Sequence, residues 1–257
     1  MKLDQALEDA VKSVEAVQES LQARRLEAPA TAHTNEFKGF LVLHSVKGAA
    51  LVGFERGYGL AFSVLEWLPD GAPKLSSPLI FKVNKVALGM AMGYNEVFSV
   101  ALLRDLSPLE ALAEGAETIM GKDFDITGMT KPVQGDYSGR ENTFHETSIS
   151  GLGDEAGAAK AHVLSVSDSL MMCDLSLYGG HMSVDKDLMN EAYGSVYGTN
   201  QDVLRGRVEL PVGLQPAVGG ITAGLRSVVR SCVEAHDKLN PKVEKAKEVA
   251  KEFISYR

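Results

Sequence analysis

The sequence predicts an α+β fold: a mainly antiparallel curved sheet or partial barrel with packed helices, plus an N-terminal and a C-terminal helix. Three observations carry that expectation. A heptad-spaced apolar stripe opens the chain, glycine-punctuated strand-forming stretches fill the middle, and a charged helical pattern returns at the end. Strands follow strands instead of alternating with helices, which points to α+β packing over a parallel βαβ arrangement.

The first element runs from Leu3. Leu3, Leu7, Ala10, Val14, Val17 and Leu21 follow a 4-3-4-3-4 spacing, the a/d seam of a heptad repeat. The reading favoured is a helix whose narrow stripe docks on its own domain, against the apolar face of the C-terminal helix. A coiled coil with another chain is disfavoured because helices this short pair weakly unaided. A membrane-surface helix is disfavoured because Lys2, Lys12, Arg24 and Arg25 are outnumbered by six acids and no aromatic sits on the stripe.

Beyond a loop around Pro29 to Asn35 the period changes to that of strands. Phe37 to Leu51 and Gly53 to Leu65 read as two strands, and Leu68 to Ala72 is a turn by its Pro-Asp-Gly chemistry. Leu79 to Val83, Ala87 to Gly93 and Glu96 to Leu103 read as further strands. Ser107, Pro108 and Glu110 form an N-cap, N1 and N3 set that opens a helix. Met120 to Gly157 reads as strands with long loops, followed by strands at Ala161 to Val166 and Met172 to Leu177. Asp187 to Tyr193 reads as a short helix ended by Gly194. Asn240 and Pro241 read as the N-cap and N1 of a last helix with Val243, Ala246, Ala250 and Phe253 on one face. The expected division is an N-terminal amphipathic helix at 1–27, a central domain at 28–225 and a basic helical extension at 226–257.

Composition narrows the function. With 257 residues, 45% hydrophobic and 23% charged, the chain can bury a full core. Cys173 and Cys232 are too few for a disulfide framework and lack metal or redox spacing, which fits a reducing, cytoplasmic setting. The N-terminus has no apolar leader segment, and no run of about 18 apolar residues occurs, so any membrane contact is expected to be peripheral. Net charge is −8, against nucleic acid as a partner. That total is uneven: residues 28–225 carry 14 Lys/Arg against 23 Asp/Glu, whereas residues 226–257 carry 8 against 5.

Local catalytic signatures are missing. Gly151 to Gly157 is one residue too long for a dinucleotide fingerprint, and its acids would repel a pyrophosphate. Asp123 to Gly128 resembles the first half of a calcium loop, but Gln134 stands where the closing bidentate glutamate belongs. Asp185 to Asp187 fails the same test at Asn190 and Val196. The six histidines never fall two, three or four residues apart, so no local metal pair exists. His44, in an apolar strand, reads as a hydrogen-bonded structural histidine, and Cys173 as a small core hydrophobe. No catalytic residue, metal or cofactor is expected.

Taken in order, several stretches resemble one family. Phe37 to Ala50 (FKGFLVLHSVKGAA) followed by Gly53 to Phe62 (GFERGYGLAF), the Pro69-Asp70-Gly71 turn, Ser76 to Ile80, Ala87 to Leu103 (ALGMAMGYNEVFSVALL), Ser176 to Gly194 and Val203 to Pro211 are together similar to the SYLF domain. The resemblance spans about Phe37 to Leu214. It implies a non-enzymatic, peripheral phospholipid-binding domain, phosphoinositides included, linked to actin organisation and endocytosis. The chain departs from the pattern at Leu75 to Pro78, where the family's tryptophan is missing. It departs again at Val166 to Asp174, where acids and apolar residues replace lysines, and at Gly151 to Asp154.

On this reading the residues expected to meet an anionic phospholipid surface are Lys38, Lys47, Arg56, Lys82 and Lys85. Gly57, Gly59 and Gly194 are expected to be structural glycines. The alternative is a scaffold that keeps the fold, has lost the headgroup site and binds protein partners through the helices at 3–21 and 241–254. The acidic core favours that alternative, and a lipid-processing enzyme lacks a nucleophile.

Overall fold

The computed structural model describes residues 2–49, 52–125, 140–141, 161–169 and 173–255. The elements in chain order are α1 (Leu3–Gln22), β1 (Gly39–Ala49), β2 (Val52–Trp67), β3 (Pro73–Leu75), β4 (Leu79–Leu103), α2 (Ser107–Glu114), β5 (Ala116–Asp125), β6 (Arg140–Glu141), β7 (Ala161–Ser169), β8 (Cys173–Val184), α3 (Lys186–Tyr193), α4 (Asn200–Leu204) and α5 (Gln215–Ser255). The fold is mixed α+β, with one open antiparallel sheet and helices at both ends.

The sheet is a set of nested hairpins. β1 and β2 form the innermost one, in register from Gly39 opposite Ser63 to Ala49 opposite Gly53. β4, 25 residues long, wraps it: its first half pairs with β2 and its second half with β1. β8 and β7 then pair with the outer edge of those same two halves. β5 lies outside β8 and β6 outside β7. Strands of this length coil with the right-handed twist of the backbone, and the sheet curves with them.

Sequence reasoning expected three strands between Leu79 and Leu103, and the chain forms one. Small residues such as Gly89 and Gly93 weaken an isolated strand. Here both edges of β4 are filled by neighbours over nearly its whole length, so the ladder continues through them.

Strand alternation gives the sheet two faces. One carries Phe40, Val42, Leu60, Phe62, Ile80, Val100 and Leu102, all completely buried, and is covered by α1. Ser13 on α1 donates to the Leu43 carbonyl at 3.2 Å, which ties the helix to β1. The other face carries Leu41, Ala61, Phe81, Ala101 and Leu103 and is covered at its base by α2 and α4. A Cβ at Gly39 would lie 2.6 Å from the Leu109 side chain of α2, and the Ser63 hydroxyl donates to the Leu204 carbonyl at the end of α4. We refer to these as the α1 face and the α2 face.

The heptad stripe docks within the chain. Leu7, Ala10, Val14, Val17 and Leu21 are all buried in the common core. The counterpart is the first half of α5, where Val218, Ile221, Leu225, Val228, Val229 and Cys232 are buried; a Cβ at Gly224 would stand 2.3 Å from Val14. The expected counterpart, the face of Val243, Ala246, Ala250 and Phe253, lies beyond the residues whose side chains are described.

The last helix also begins earlier than expected. Asn240 and Pro241 carry cap chemistry, yet Pro241 lies inside α5, which is continuous from Gln215 and so crosses the expected boundary at 225. Proline removes one N–H donor from the helix ladder, while the buried stripe upstream is what holds this helix on the domain. α2 starts at Ser107 itself, with Leu106 as its cap, one residue earlier than expected. At α3 the Asp185 carboxylate caps the helix by accepting from the Asp187 and Leu188 amides, both at 3.1 Å.

Candidate functional surface

The five basic residues expected to form one site are divided by the register. Val46 stands opposite Arg56 and Lys47 opposite Glu55, so Lys47 and Arg56 point to opposite faces. Lys47 is only 6% exposed and Glu55 only 9%, both on the α2 face. The Ser45 hydroxyl donates to Glu55 Oε1 at 2.8 Å on the same face. The register puts Lys85 opposite Glu55 as well. Lys47 therefore belongs to a buried polar band and takes no part in an outer surface.

Arg56 and Lys82 are on the α1 face. Arg56 is exposed, and among the described residues it has no ion-pair partner. Lys82, opposite Tyr58 and so one cross-strand row nearer the helices, is partly exposed and 3.7 Å from Asp185. His181 is exposed in the Arg56 row, opposite Asn84, which is itself opposite Arg56. Lys38 is elsewhere, at the base of β1, where its ammonium donates to the Asn35 carbonyl at 2.8 Å.

The row beyond Arg56, away from the helices, holds two residues that sequence reasoning did not single out. Phe54 is 53% exposed, Val86 is 57% exposed, and they are register partners on adjacent strands. The signal was present in the sequence. In Gly53 to Gly59 glycine alternates with Phe54, Arg56 and Tyr58, apart from Glu55, so one face is emptied and the other filled.

The glycines of that stretch have a packing reason. A Cβ at Gly57 would lie 2.3 Å from the His44 carbonyl oxygen, and one at Gly59 would lie 2.4 Å from the Val42 carbonyl oxygen and 2.5 Å from the Phe81 ring. β1 and Phe81 thus occupy the space a side chain would need. Gly194, which ends α3, has φ +53°, in the left-handed region that favours glycine.

His44 is a structural junction. Its Nε2 lies 2.7 Å from Glu96 Oε1 on β4 and its Nδ1 lies 3.3 Å from Asp9 Oδ2 on α1, with the ring stacked on Phe98 at 4.9 Å. Two carboxylates and a ring contact leave no edge of the imidazole to serve a substrate, and the arrangement clamps α1 to the sheet. Cys232 is fully buried on α5, where its carbonyl accepts from the Thr31 amide at 3.2 Å, and burial pushes its thiol up to about 12. Tyr193 is also raised by burial and donates to the Pro78 carbonyl at 2.6 Å. Among the described residues no group of three or more His, Cys, Asp or Glu is placed to hold a metal ion, and no helix is long and apolar enough to cross a membrane. Gly151 to Gly157, the second half of the calcium-loop-like stretch Asp123 to Gly128, and the rest of 126–139 and 142–160 lie outside the described residues.

Comparisons with protein-family models, with curated proteins and with solved structures found no match to this chain.

Proposed function

We propose that this protein is a non-catalytic, peripheral binder of anionic phospholipid surfaces, with phosphoinositides within its range. The observation that carries the reading is the placement of Arg56 and Lys82 on one face of neighbouring strands, beyond the part of that face that α1 covers. Arg56 is the stronger candidate, because Lys82 shares its charge with Asp185. The ordered resemblance to the SYLF domain supports the same conclusion and extends it to membrane or actin organisation. The scaffold alternative is weakened at one point: the 3–21 stripe it would offer to a partner is buried against α5 and the sheet.

The test is flotation with vesicles of neutral phospholipid, alone or with an anionic or phosphoinositide component, at low and physiological salt. Each near-surface basic residue contributes about 1 kcal/mol on an anionic leaflet. Arg56→Glu should therefore weaken binding roughly fivefold to thirtyfold, and binding should fall as salt screens charges beyond about 8 Å. Equal flotation with neutral and anionic vesicles, insensitive to salt and to Arg56→Glu, would remove the reading.

A further inference from the structure

We infer that the hairpin-tip end of the α1 face inserts into the acyl region of an anionic phospholipid bilayer, a role that rests on the lipid-binding reading above. The observation is an inverted alternation. Where an antiparallel sheet has one face covered by its own chain, the uncovered face is ordinarily polar. At the tips of β2 and β4 the reverse holds. The exposed register partners are Phe54 and Val86, two large apolar side chains in adjacent positions. Two residues closer to the tip the register continues with Val52 opposite Leu88 and Leu88 opposite Leu177. On β2 the intervening positions that alternate to the α2 face are Gly53 and the buried Glu55, whose register partners on β4 are Ala87 and Lys85, before Val83 stands opposite Gly57.

A large apolar pair outward, with Gly53 and the buried Glu55 inward, is the pattern of a sheet whose outer solvent is hydrocarbon. Phe54 is also held in place. A Cβ at Gly48 would lie 3.1 Å from its ring, so the ring lies over the bare backbone of β1 instead of folding under the sheet.

The charges sit at the right depth for the same geometry. With a rise of about 3.3 Å per residue, Arg56 lies roughly 7 Å and the Tyr58–Lys82 row roughly 13 Å back from Phe54 along the strands. Immersing Phe54 and Val86 thus brings Arg56 and then Lys82 to headgroup level, since interfacial elements bury their apolar faces about 5–10 Å.

Charge also separates this occupant from a second copy of the chain. Of the acids with described side chains near Arg56 on this face, Glu96 is paired with His44 and Asp185 with Lys82. A two-fold contact would set Arg56 near the like charge of its own symmetry mate, because such a contact uses the same patch twice.

The experiment compares Phe54→Trp and Val86→Trp with the wild type, whose single tryptophan is Trp67, on vesicles containing an anionic lipid and brominated acyl chains. Insertion is expected to shift the added emission to the blue and quench it. Phe54→Ser combined with Val86→Ser should lower vesicle partitioning at least about tenfold while leaving melting unchanged. Flotation without quenching at either position would overturn insertion and leave lipid binding standing. No flotation on anionic vesicles would remove both. A lipid-free dimer that the double serine variant abolishes would overturn insertion in favour of self-association.

Discussion

Replacing both Leu7 and Val14 by aspartate should destabilise the folded monomer severely without changing any association state. Leu7 is 7% exposed and Val14 is 1% exposed, both within the core shared by α1, α5 and the sheet. Burial of each such side chain is worth about 1.5–3 kcal/mol, and an unpaired carboxylate in its place adds a desolvation cost of several kcal/mol. The combined loss is at least about 5 kcal/mol, a large share of the roughly 5–15 kcal/mol that holds a typical domain folded. At about 2–4 °C per kcal/mol for a chain of this size, melting should drop by more than about 10 °C. Gly224→Ala attacks the same seam from α5, where a Cβ would stand 2.3 Å from Val14, and should lower melting in the same direction. Lys12→Ala is the control, since its half-exposed side chain pairs only with Glu8 on the helix surface and should change stability by less than about 0.5 kcal/mol. Thermal melting beside multi-angle light scattering decides the matter. An unchanged melting temperature accompanied by loss of a dimer would refute intramolecular docking and make α1 an assembly helix.

Gly57→Val and Gly59→Val should each cost on the order of 1–3 kcal/mol in urea denaturation, because a Cβ at either position meets backbone within 2.4 Å; unchanged midpoints for both would mean that β1 and β2 do not pair in this register. Cys232, with its thiol pushed up to about 12 by burial, should resist thiol reagents at pH 8 in a Cys173→Ser background and react once urea is added. Because that value lies above the ordinary 9.0, the stability this thiol contributes is complete below pH 9 and declines as pH rises toward 12, where only the unfolded thiol ionises at first. Rapid native labelling at pH 8 would show that the thiol is not buried in the core.

The parts of the fold that were legible in the sequence are those where one periodicity decides one element. The heptad spacing from Leu3 to Leu21 sufficed for α1, because a stripe that regular must be buried somewhere. The parts that were not legible depend on packing between elements. Asn240 and Pro241 have the chemistry of a helix start, but local capping cannot report that α5 is already anchored from Gln215 by Ile221, Leu225 and Val228. β4 was divided because glycines weaken a lone strand, and the neighbours that fill both of its edges are remote in sequence. The candidate surface shows the same limit in sharper form. Lys47 and Arg56 look alike as basic strand residues, yet register parity buries one and exposes the other.

Net charge was the strongest sequence argument against an anionic surface, and the structure changes how that argument applies. Much of the acidic excess near the α1 face is engaged internally: Asp9 and Glu96 hold His44, Asp185 caps α3 beside Lys82, and Glu55 is buried on the opposite face accepting from Ser45. Charges farther than a Debye length, about 8 Å at physiological salt, contribute little to what an approaching membrane meets at Arg56. The relevant quantity is therefore the sign of the few side chains around Phe54 and Val86, where Arg56 is exposed and, among the described side chains, Glu96 and Asp185 are paired. A chain of net charge −8 can on this account present a locally basic, apolar rim. If Asp9 and Glu96 were freed from His44 by His44→Leu, the same rim should lose affinity for anionic vesicles even though Arg56 and Phe54 were untouched, because two carboxylates would then face the surface that Arg56 serves.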